Sequence, residues 1–319
     1  MNRGLKKWIY GFVIALVAFG IARLYYRLTD DFRIGNITYQ LPFEAPWQVP
    51  ALNSEEQEQL VHILNQKFSY IGKGAQCYAF VSEDQQHVLK FFKFKHLKPN
   101  LFVDLLPSIL PFKGYKQNII ERKRRKLIGV FNGYDLAFRE NREDSELVYL
   151  HLLPTQNLKL QVTVVDKIGL ERSINLDDVV FLVQKKGETL RTRLNRLLKQ
   201  ERLHEAEQAI SNILAMYISE YKKGIFDHDH GVMHNTGFIG TKPFHLDVGK
   251  LNKEERMKQV DFYKKDLEHV VWKIDVWTKA SYPHYYLEIS DFLAREYQYW
   301  TGEMLDIRAI DPKRFKKRR

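Results

Sequence analysis

Residues 72–92 read GKGAQCYAFVSEDQQHVLKFF, apolar runs separated by a polar turn at residues 83–86. Such runs, broken by glycine and by polar turns, predict antiparallel strands, the first of which leads into a glycine loop. Gly72 and Gly74 would let the backbone approach a phosphate closely, while Cys77 stands where a third glycine would complete G-x-G-x-x-G. An ordinary tight hairpin explains the two glycines at least as well.

Lys90 lies in the last of these runs, HVLKFF. Strand alternation places its side chain on the same face as Val88 and Phe92, both of which are apolar. Burying an ammonium group without a partner costs free energy, so the pattern predicts an anionic partner for Lys90. A phosphate together with a carboxylate would supply one.

Two polar segments follow a long apolar helix predicted over residues 203–221. Residues 226–239 read FDHDHGVMHNTGFI, and residues 244–249 read FHLDVG. The side-chain oxygens of Asn235 and Asp247 suit Mg²⁺, which prefers oxygen ligands. A single D-x-G tripeptide is more often a plain turn, so the order of the segments carries the interpretation.

In this order the segments resemble the motifs of the protein-kinase-like superfamily, from its glycine-rich loop and strand lysine to its metal-binding D-F-G segment. The resemblance implies an ATP- and Mg²⁺-dependent phosphotransferase. Gly72, Gly74 and Lys90 would hold the phosphates of ATP. Asn235 and Asp247 would hold the metal ion. No A-P-E segment follows, a feature more similar to small-molecule and lipopolysaccharide-core kinases than to typical protein kinases.

The family's catalytic loop, H-x-D-x-x-x-x-N, matches this chain imperfectly. Counting back from Asn235 places His230 at the aspartate position, whereas Asp229 stands one residue too early and Asp227 three. A one-residue insertion would make Asp229 the catalytic base. Without it the loop lacks a base, and the alternative is a membrane-anchored pseudokinase acting as a nucleotide-binding or scaffold module. The motifs do not name an acceptor.

The resemblance also implies a carboxylate partner for Lys90, on the helix that precedes the fourth strand. Glu146 is the predicted partner, with Glu140 and Glu121 as alternatives. A solvated glutamate on a helix surface is an equally good interpretation of Glu146. The separation from Lys90 is longer than family members usually show, because of an insertion around residues 97–132.

The elements around the motifs follow from local patterns. Residues 55–67 predict a helix capped by Ser54, after an extended linker that contains three prolines. Residues 116–153 predict mostly helix, with a break near residues 132–133, which are Asn and Gly. Residues 180–190, VFLVQKKGETL, resemble the fifth strand and hinge of the family, whose main chain contacts adenine.

The N-terminus predicts a membrane anchor. Residues 8–26 carry one charge, Arg23, and about twenty such residues can cross a hydrocarbon core as a helix. A cleaved signal peptide is the alternative, but no A-x-A cleavage site follows. Basic residues flank both ends, so the positive-inside rule leaves the orientation open. An active kinase would face the cytosol, because ATP is abundant there.

The formal net charge of the 319-residue chain is +11, with basic runs at residues 122–126 and 313–319. Such runs suit anionic lipid or phosphate, although a solvated helix face or tail is the commoner explanation. No nucleic-acid-binding motif is present, so no nucleic-acid partner is expected. The single cysteine, Cys77, excludes an intramolecular disulfide. The four histidines near the catalytic loop lack zinc spacing.

Strands early in the chain and helices late predict an α+β, bilobal, protein-kinase-like fold behind a single-pass transmembrane helix. The predicted N-lobe is an antiparallel sheet, and the C-lobe is helical. In chain order the predicted parts are an anchor at 1–29, a linker and leading helix at 30–67, the N-lobe at 68–186, the C-lobe at 187–312 and a basic tail at 313–319.

Overall fold

A computed structural model describes residues 3–38, 47–94 and 112–315. The chain forms two compact units. The first comprises residues 1–120 and 151–183, and the second comprises residues 121–150 and 184–319. Residues 121–150 therefore group with the second unit, although the sequence places them in the predicted N-lobe. Residues 97–111 of the predicted insertion, Pro42, Pro46 and the last four basic-tail residues lie outside the described residues.

The α-helices of the described residues are, in chain order, α1 (Arg3–Leu28), α2 (Ile34–Ile37), α3 (Ser54–Leu64), α4 (Phe112–Glu140), α5 (Arg142–Ser145), α6 (Leu190–Lys199), α7 (Leu203–Lys222), α8 (Val232–Asn235), α9 (Val260–Ser281) and α10 (Tyr286–Thr301). The strands are β1 (Lys67–Lys73), β2 (Cys77–Ser82), β3 (His87–Phe92), β4 (Leu147–His151), β5 (Gln161–Val165), β6 (Glu171–Asn175), β7 (Phe181–Lys185), β8 (Glu188–Thr189), β9 (Ile225–Asp227), β10 (Thr236–Ile239), β11 (Lys242–His245) and β12 (Leu251–Lys253). The predicted α+β class is confirmed.

In the first unit the strands follow the order β7-β3-β2-β1-β5-β6. The antiparallel strands predicted between residues 68 and 94 are β1, β2 and β3. The sheet as a whole is mixed rather than antiparallel, because β1 and β5 pair in parallel, with Phe68 opposite Val164. β6, which completes a hairpin with β5, has one buried residue, Ile174, and therefore little apolar pattern to reveal it in the sequence.

The helix α1 contains one segment, Lys7–Leu28, that is long and apolar enough to cross a membrane. Its side chains are exposed along the span, and the chain enters the first unit at its end, where Thr29 and Phe32 are fully buried. The rings of Tyr78 and Phe80 in β2 pack edge-on against Phe32, at centroid distances of 5.2 and 4.9 Å. The end of the helix is thus part of the core of the first unit.

The helix after the linker begins at Ser54, but its cap is Asn53 and not Ser54. The Asn53 side chain accepts the Glu56 backbone N–H at 2.9 Å, and the Glu56 carboxylate accepts the Asn53 N–H at 3.2 Å. This reciprocal capping box satisfies two backbone donors that a helix start leaves unpaired. The helix ends at Leu64, three residues before the predicted end, and Lys67 is the first residue of β1.

The break predicted near Asn132 and Gly133 is wrong, since α4 runs without interruption from Phe112 to Glu140. Gly133 has another role: a Cβ atom there would lie 2.6 Å from the carbonyl oxygen of Val248. The glycine allows close packing of helix and loop. The helix predicted to reach residue 153 is also wrong, because Leu147–His151 forms β4, in which four of five residues are buried.

The second unit is built around the predicted apolar face of α7. Ile210, Ile213, Leu214 and Tyr217 are fully buried there, in one cluster with residues from α6, α9 and α10. Short strands carry the polar segments over this core: β10 pairs with β8 and β11, and β9 pairs with β12. The polar segments at residues 226–239 and 244–249 therefore rest on a rigid base.

Candidate functional site

The glycine loop lies in the first unit, between β1 and β2. A Cβ atom on Gly72 or Gly74 would meet no atom within 4 Å, so the outer side of the loop is open. Cys77 is buried at the start of β2, where its Cα faces Phe92. The position of the absent third glycine is therefore filled by a core side chain.

Lys93 supports this loop, and the sequence reading missed it. Its ammonium group donates a hydrogen bond to the carbonyl oxygen of Gly74 at 2.5 Å and lies 4.5 Å from the centre of the Tyr78 ring. Burial lowers the pKa of Lys93. The clue in the sequence was a second lysine, which stands between two phenylalanines three residues after Lys90.

Lys90 lies on β3 with 9% of its surface exposed, and its Cα faces Ala79 of β2. Glu146, in the second unit, is held by Lys185 at 2.7 Å and by Lys242 at 2.5 Å. Burial acts against ionisation, but the hydrogen bonds from these lysines lower the pKa of Glu146. Two cations within its own unit thus balance this carboxylate. Its predicted pairing with Lys90 stays a prediction.

The two alternative partners also have cations in the second unit. Glu140 pairs with Lys253, and Glu121 lies 3.9 Å from Arg124 on the exposed face of α4. The basic run at residues 122–126 is mostly exposed on the same helix, as expected for a solvated face. None of these contacts by itself indicates a phosphate site.

The catalytic-loop segment brings Asp229 and Asn235 together. The side-chain amide of Asn235 lies 3.5 Å from Oδ2 of Asp229, and the Asp229 carboxylate is exposed. A Cβ atom on Gly231 would lie 2.6 Å from Nδ2 of Asn235, so glycine leaves the space that the amide occupies. Oδ1 of Asp227 accepts the backbone N–H of Asp229 at 2.8 Å and fixes the start of the loop.

His230, which the family spacing places at the aspartate position, points elsewhere. It has a φ of 50°, in the left-handed region, and its Nε2 lies 2.5 Å from Oδ1 of Asp266 on α9. Its ring stacks on His269 with a centroid distance of 4.2 Å. Burial opposes protonation, but the hydrogen bond with Asp266 raises the pKa of His230. The side chain beside Asn235 is that of Asp229.

Asp247 is adjacent to Asn235 through the backbone. The carbonyl oxygen of Asn235 accepts the N–H groups of Leu246 at 2.6 Å and Asp247 at 3.2 Å. Oδ1 of Asp247 accepts the Tyr134 hydroxyl and the Gly249 N–H, both at 3.2 Å. Tyr134 carried no motif, and the sequence reading missed it.

The side chains of Asn235 and Asp247 are the predicted ligands of a metal ion. Among the described ranges, no group of three His, Cys, Asp or Glu side chains is arranged to bind a metal. The predicted donors are instead one amide and one carboxylate, and both side chains are partly exposed. Oxygen donors of this kind fit Mg²⁺, which commonly takes one or two protein ligands and completes its shell with waters and substrate phosphates. The residues present therefore fit the predicted ion.

A buried ionic group lies beneath this loop. His245, in β11, lies 3.0 Å from Glu220 of α7 on one side and 3.6 Å from Asp227 of β9 on the other, with all three side chains inaccessible to solvent. The second distance is that of an ion pair rather than of a hydrogen bond. Asn141 donates to Glu220 at 2.8 Å.

Burial by itself would keep His245 neutral, but the two carboxylates raise its pKa to about 10. The imidazolium therefore links α7, β9 and β11 through charge. The clue in the sequence was Glu220, an acidic residue beside Tyr217 and Tyr221 on the apolar face of a helix.

No protein-family model and no curated protein matches the chain. Among solved structures, the bifunctional kinase-methyltransferase WbdD is similar over 75% of this chain and 45% of its own, with 12% identity and a TM-score of 0.33. The complex of Rv3197 with erythromycin, from Mycobacterium tuberculosis, is similar over 76% of this chain and 60% of its own, with 12% identity and a TM-score of 0.35. The chain spans about half the length of these proteins.

Proposed function

We propose that this chain is a membrane-anchored phosphotransferase of the protein-kinase-like superfamily, which moves a phosphoryl group from ATP, with Mg²⁺, to an unidentified hydroxyl acceptor. One observation carries the proposal: Asp229, Asn235 and Asp247 meet where two polar segments of the second unit come together. Asn235 contacts Asp229 through its side chain and Asp247 through its backbone. A base and two metal ligands in this arrangement suit phosphoryl transfer.

Each residue has a definite task in this proposal. Asp229 accepts the proton of the acceptor hydroxyl or orients that hydroxyl, and its exposure leaves it open to a substrate. Asn235 and Asp247 bind the metal, and Tyr134 fixes one oxygen of Asp247. When bound, Mg²⁺ would neutralise negative charge on the phosphates. Lys90 and the open loop at Gly72 and Gly74 would hold the phosphates.

The membrane anchor restricts where the reaction can occur. The helix α1 holds the enzyme at a bilayer, so we propose a single-pass protein whose folded units face the cytosol, where ATP is present. An acceptor in or near the membrane would then meet the site at a raised local concentration. Protease accessibility of the C-terminal tail in intact cells tests this orientation.

Nucleotide binding and transfer by the purified full-length protein test the activity. We expect Mg-ATP to raise the melting temperature, because a ligand that binds only the folded state stabilises it. Asp247→Asn and removal of Mg²⁺ by a chelator should each abolish the rise. Asp306→Asn, an exposed position outside the site, is the matched control and should keep it. If Mg-ATP does not shift melting at any concentration, both the kinase and the nucleotide-binding alternative fail.

The pseudokinase alternative has its own support. Glu146, the predicted partner of Lys90, is held by Lys185 and Lys242, and Asp229 is off the family spacing by one residue. A nucleotide-binding scaffold predicts the melting shift without transfer of radiolabelled phosphate from ATP to a membrane extract or to water. Transfer that depends on Asp229 would exclude it.

A structural membrane protein whose basic tail binds anionic lipid is the third candidate. Of the tail, Arg314 pairs with Glu268 at 2.7 Å, and Phe315 stacks on His269 at 4.1 Å, so its first residues are bound to α9. This function predicts salt-dependent binding to anionic liposomes and no effect of nucleotide on melting.

A further inference from the structure

The helix α1 leaves the folded protein at a definite point. Residues 7–24 are exposed, Tyr25 and Tyr26 are partly covered, and Thr29 is fully buried. The apolar segment Lys7–Leu28 has 22 residues, which corresponds to about 33 Å at the α-helical rise. The hydrocarbon core of a bilayer is about 30 Å thick, so an inserted α1 leaves almost no helix between the membrane and the folded unit. The protein surface around Tyr25 must then lie at the level of the lipid headgroups.

A hairpin of the first unit is fastened to this exit point. Arg172, in β6, donates to the Tyr25 hydroxyl and to Oδ2 of Asp166, the latter at 3.0 Å. Lys167, at the end of the same hairpin, donates to Oδ2 of Asp30 at 3.0 Å. These contacts fix the tip of the β5–β6 hairpin beside the end of the helix.

The tip, residues 167–170, reads KIGL and is apolar where most loops are polar. Ile168 is 41% exposed and Leu170 is 48% exposed. Gly169 takes a φ of 85°, which turns the chain tightly between them. Two aliphatic side chains thus project from one tight turn.

The backbone of the tip is satisfied from within. Oδ1 of the buried Asp166 accepts the N–H groups of Ile168 at 3.1 Å and Leu170 at 3.0 Å. The carbonyl oxygen of Asp166 accepts the N–H of Gly169 at 2.9 Å. A loop whose donors are paired internally can enter a poorly hydrated environment without the cost of unpaired polar groups.

We propose that this tip is a second membrane contact, which places Ile168 and Leu170 among the lipids at the membrane interface. The occupant of this surface is the bilayer that holds α1, since the tip is continuous with the exit point of the helix. The inference rests on the membrane anchor of the proposed function but not on kinase activity. The tip fixes the orientation of the first unit on the membrane.

Fluorophore labelling of the full-length protein in nanodiscs of phosphatidylcholine and phosphatidylglycerol tests the contact. Ile168→Cys and Leu170→Cys are labelled with an environment-sensitive dye, and the buried native Cys77 gives the background. Gln86→Cys is the matched control in the same unit. Gln86 lies in the turn after Ser82, and Ser82 pairs with Phe68 near the end of β1 that is opposite the β5–β6 tip. By the strand rise, this turn is about 20 Å from the tip.

We expect blue-shifted emission at positions 168 and 170, quenched by spin-labelled lipid, and neither effect at position 86. Emission at 168 and 170 that matches position 86 would overturn the inference. A blue shift that spin-labelled lipid does not quench would overturn it also, because another protein surface would then cover the tip. Alkaline carbonate extraction of the wild-type protein separates the two causes of failure. If the protein is extracted, the anchor itself is absent. If the protein stays in the membrane but the tip is hydrated, only the second contact is absent.

Discussion

Nδ1 of His245 lies 3.0 Å from Oε1 of Glu220, and neither side chain has surface exposed to water. The pair joins β11, which leads to Asp247, with α7, which leads to the catalytic loop. Asp227, on the opposite side of the imidazole, also accepts the N–H of Asp229. One buried cation therefore supports both polar segments of the candidate site.

Replacing His245 should destabilise the protein strongly. In His245→Gln two buried carboxylates lose their cation, and removing one partner of a buried ion pair commonly costs about 3–5 kcal/mol. Chemical unfolding of the detergent-solubilised protein measures the loss. His204→Gln is the control, because His204 is 93% exposed on α7. Equal stability of the two variants would contradict the role of the buried pair.

The same group predicts a dependence on pH. The folded-state pKa of His245 is raised to about 10, above the unfolded value of about 6.5. A raised pKa contributes stability that is complete below the unfolded value and is lost as the pH rises through the folded value. The free energy of unfolding should therefore fall between about pH 6.5 and 10, and this fall should be smaller in His245→Gln. A wild-type profile no steeper than that of the variant would exclude the predicted protonation.

Gly133→Ala should disturb the predicted metal-binding segment around Asp247. The added Cβ would lie 2.6 Å from the carbonyl oxygen of Val248 and 2.9 Å from the carbonyl carbon of Gly249, and overpacking of this kind costs about 1–3 kcal/mol. Gly129→Ala on the same helix meets nothing within 4 Å and should stabilise by up to about 1 kcal/mol, because alanine favours helix. Melting temperatures compare the two, and a shift of the same sign in both would refute the close packing.

Asp229→Asn and His230→Gln test the prediction that Asp229, and not the residue at the family's aspartate position, acts as the catalytic base. We expect Asp229→Asn to lower turnover at least about 100-fold, the usual scale of general base catalysis, with little change in melting. His230→Gln removes the contact with Asp266 and should lower stability while the folded fraction keeps its turnover. Unchanged turnover of Asp229→Asn in the transfer assay would exclude Asp229 as the base.

Larger side chains in the glycine loop should leave the stability of the fold unchanged but weaken the binding of ATP. A Cβ atom at Gly72 or Gly74 meets no protein atom, so Gly72→Ala and Gly74→Ala should melt like the wild type. A phosphate that approaches the backbone would meet the new methyl groups, and we expect ATP affinity to fall at least about tenfold, or about 1.4 kcal/mol. Gly35→Ala, equally open but in α2, is the control for titration with ATP. Unchanged affinity in the loop variants would mean that the loop does not contact phosphate.

Local patterns in the sequence predicted the three strands that follow Gln66, the apolar face of α7 and the α+β class, because alternation and helical periodicity report on which side of one element is buried. They also identified one N-terminal segment long and apolar enough to span a bilayer. The same reasoning failed at α4 and β4, since a helix can accept a glycine and a short apolar run fits either class of element.

The sequence by itself determined the α+β class and predicted which residues could carry chemistry, namely the glycine loop, Lys90, Asp229, Asn235 and Asp247. Only the tertiary structure decided that Asp229 rather than His230 faces Asn235, because the direction of His230 depends on a positive φ and on Asp266, which lies on another helix. The tertiary structure also decided that Glu146 pairs with two lysines and that His245 lies between two carboxylates. Such partners are distant in sequence, and no local pattern of residues encodes which charges meet when the chain folds.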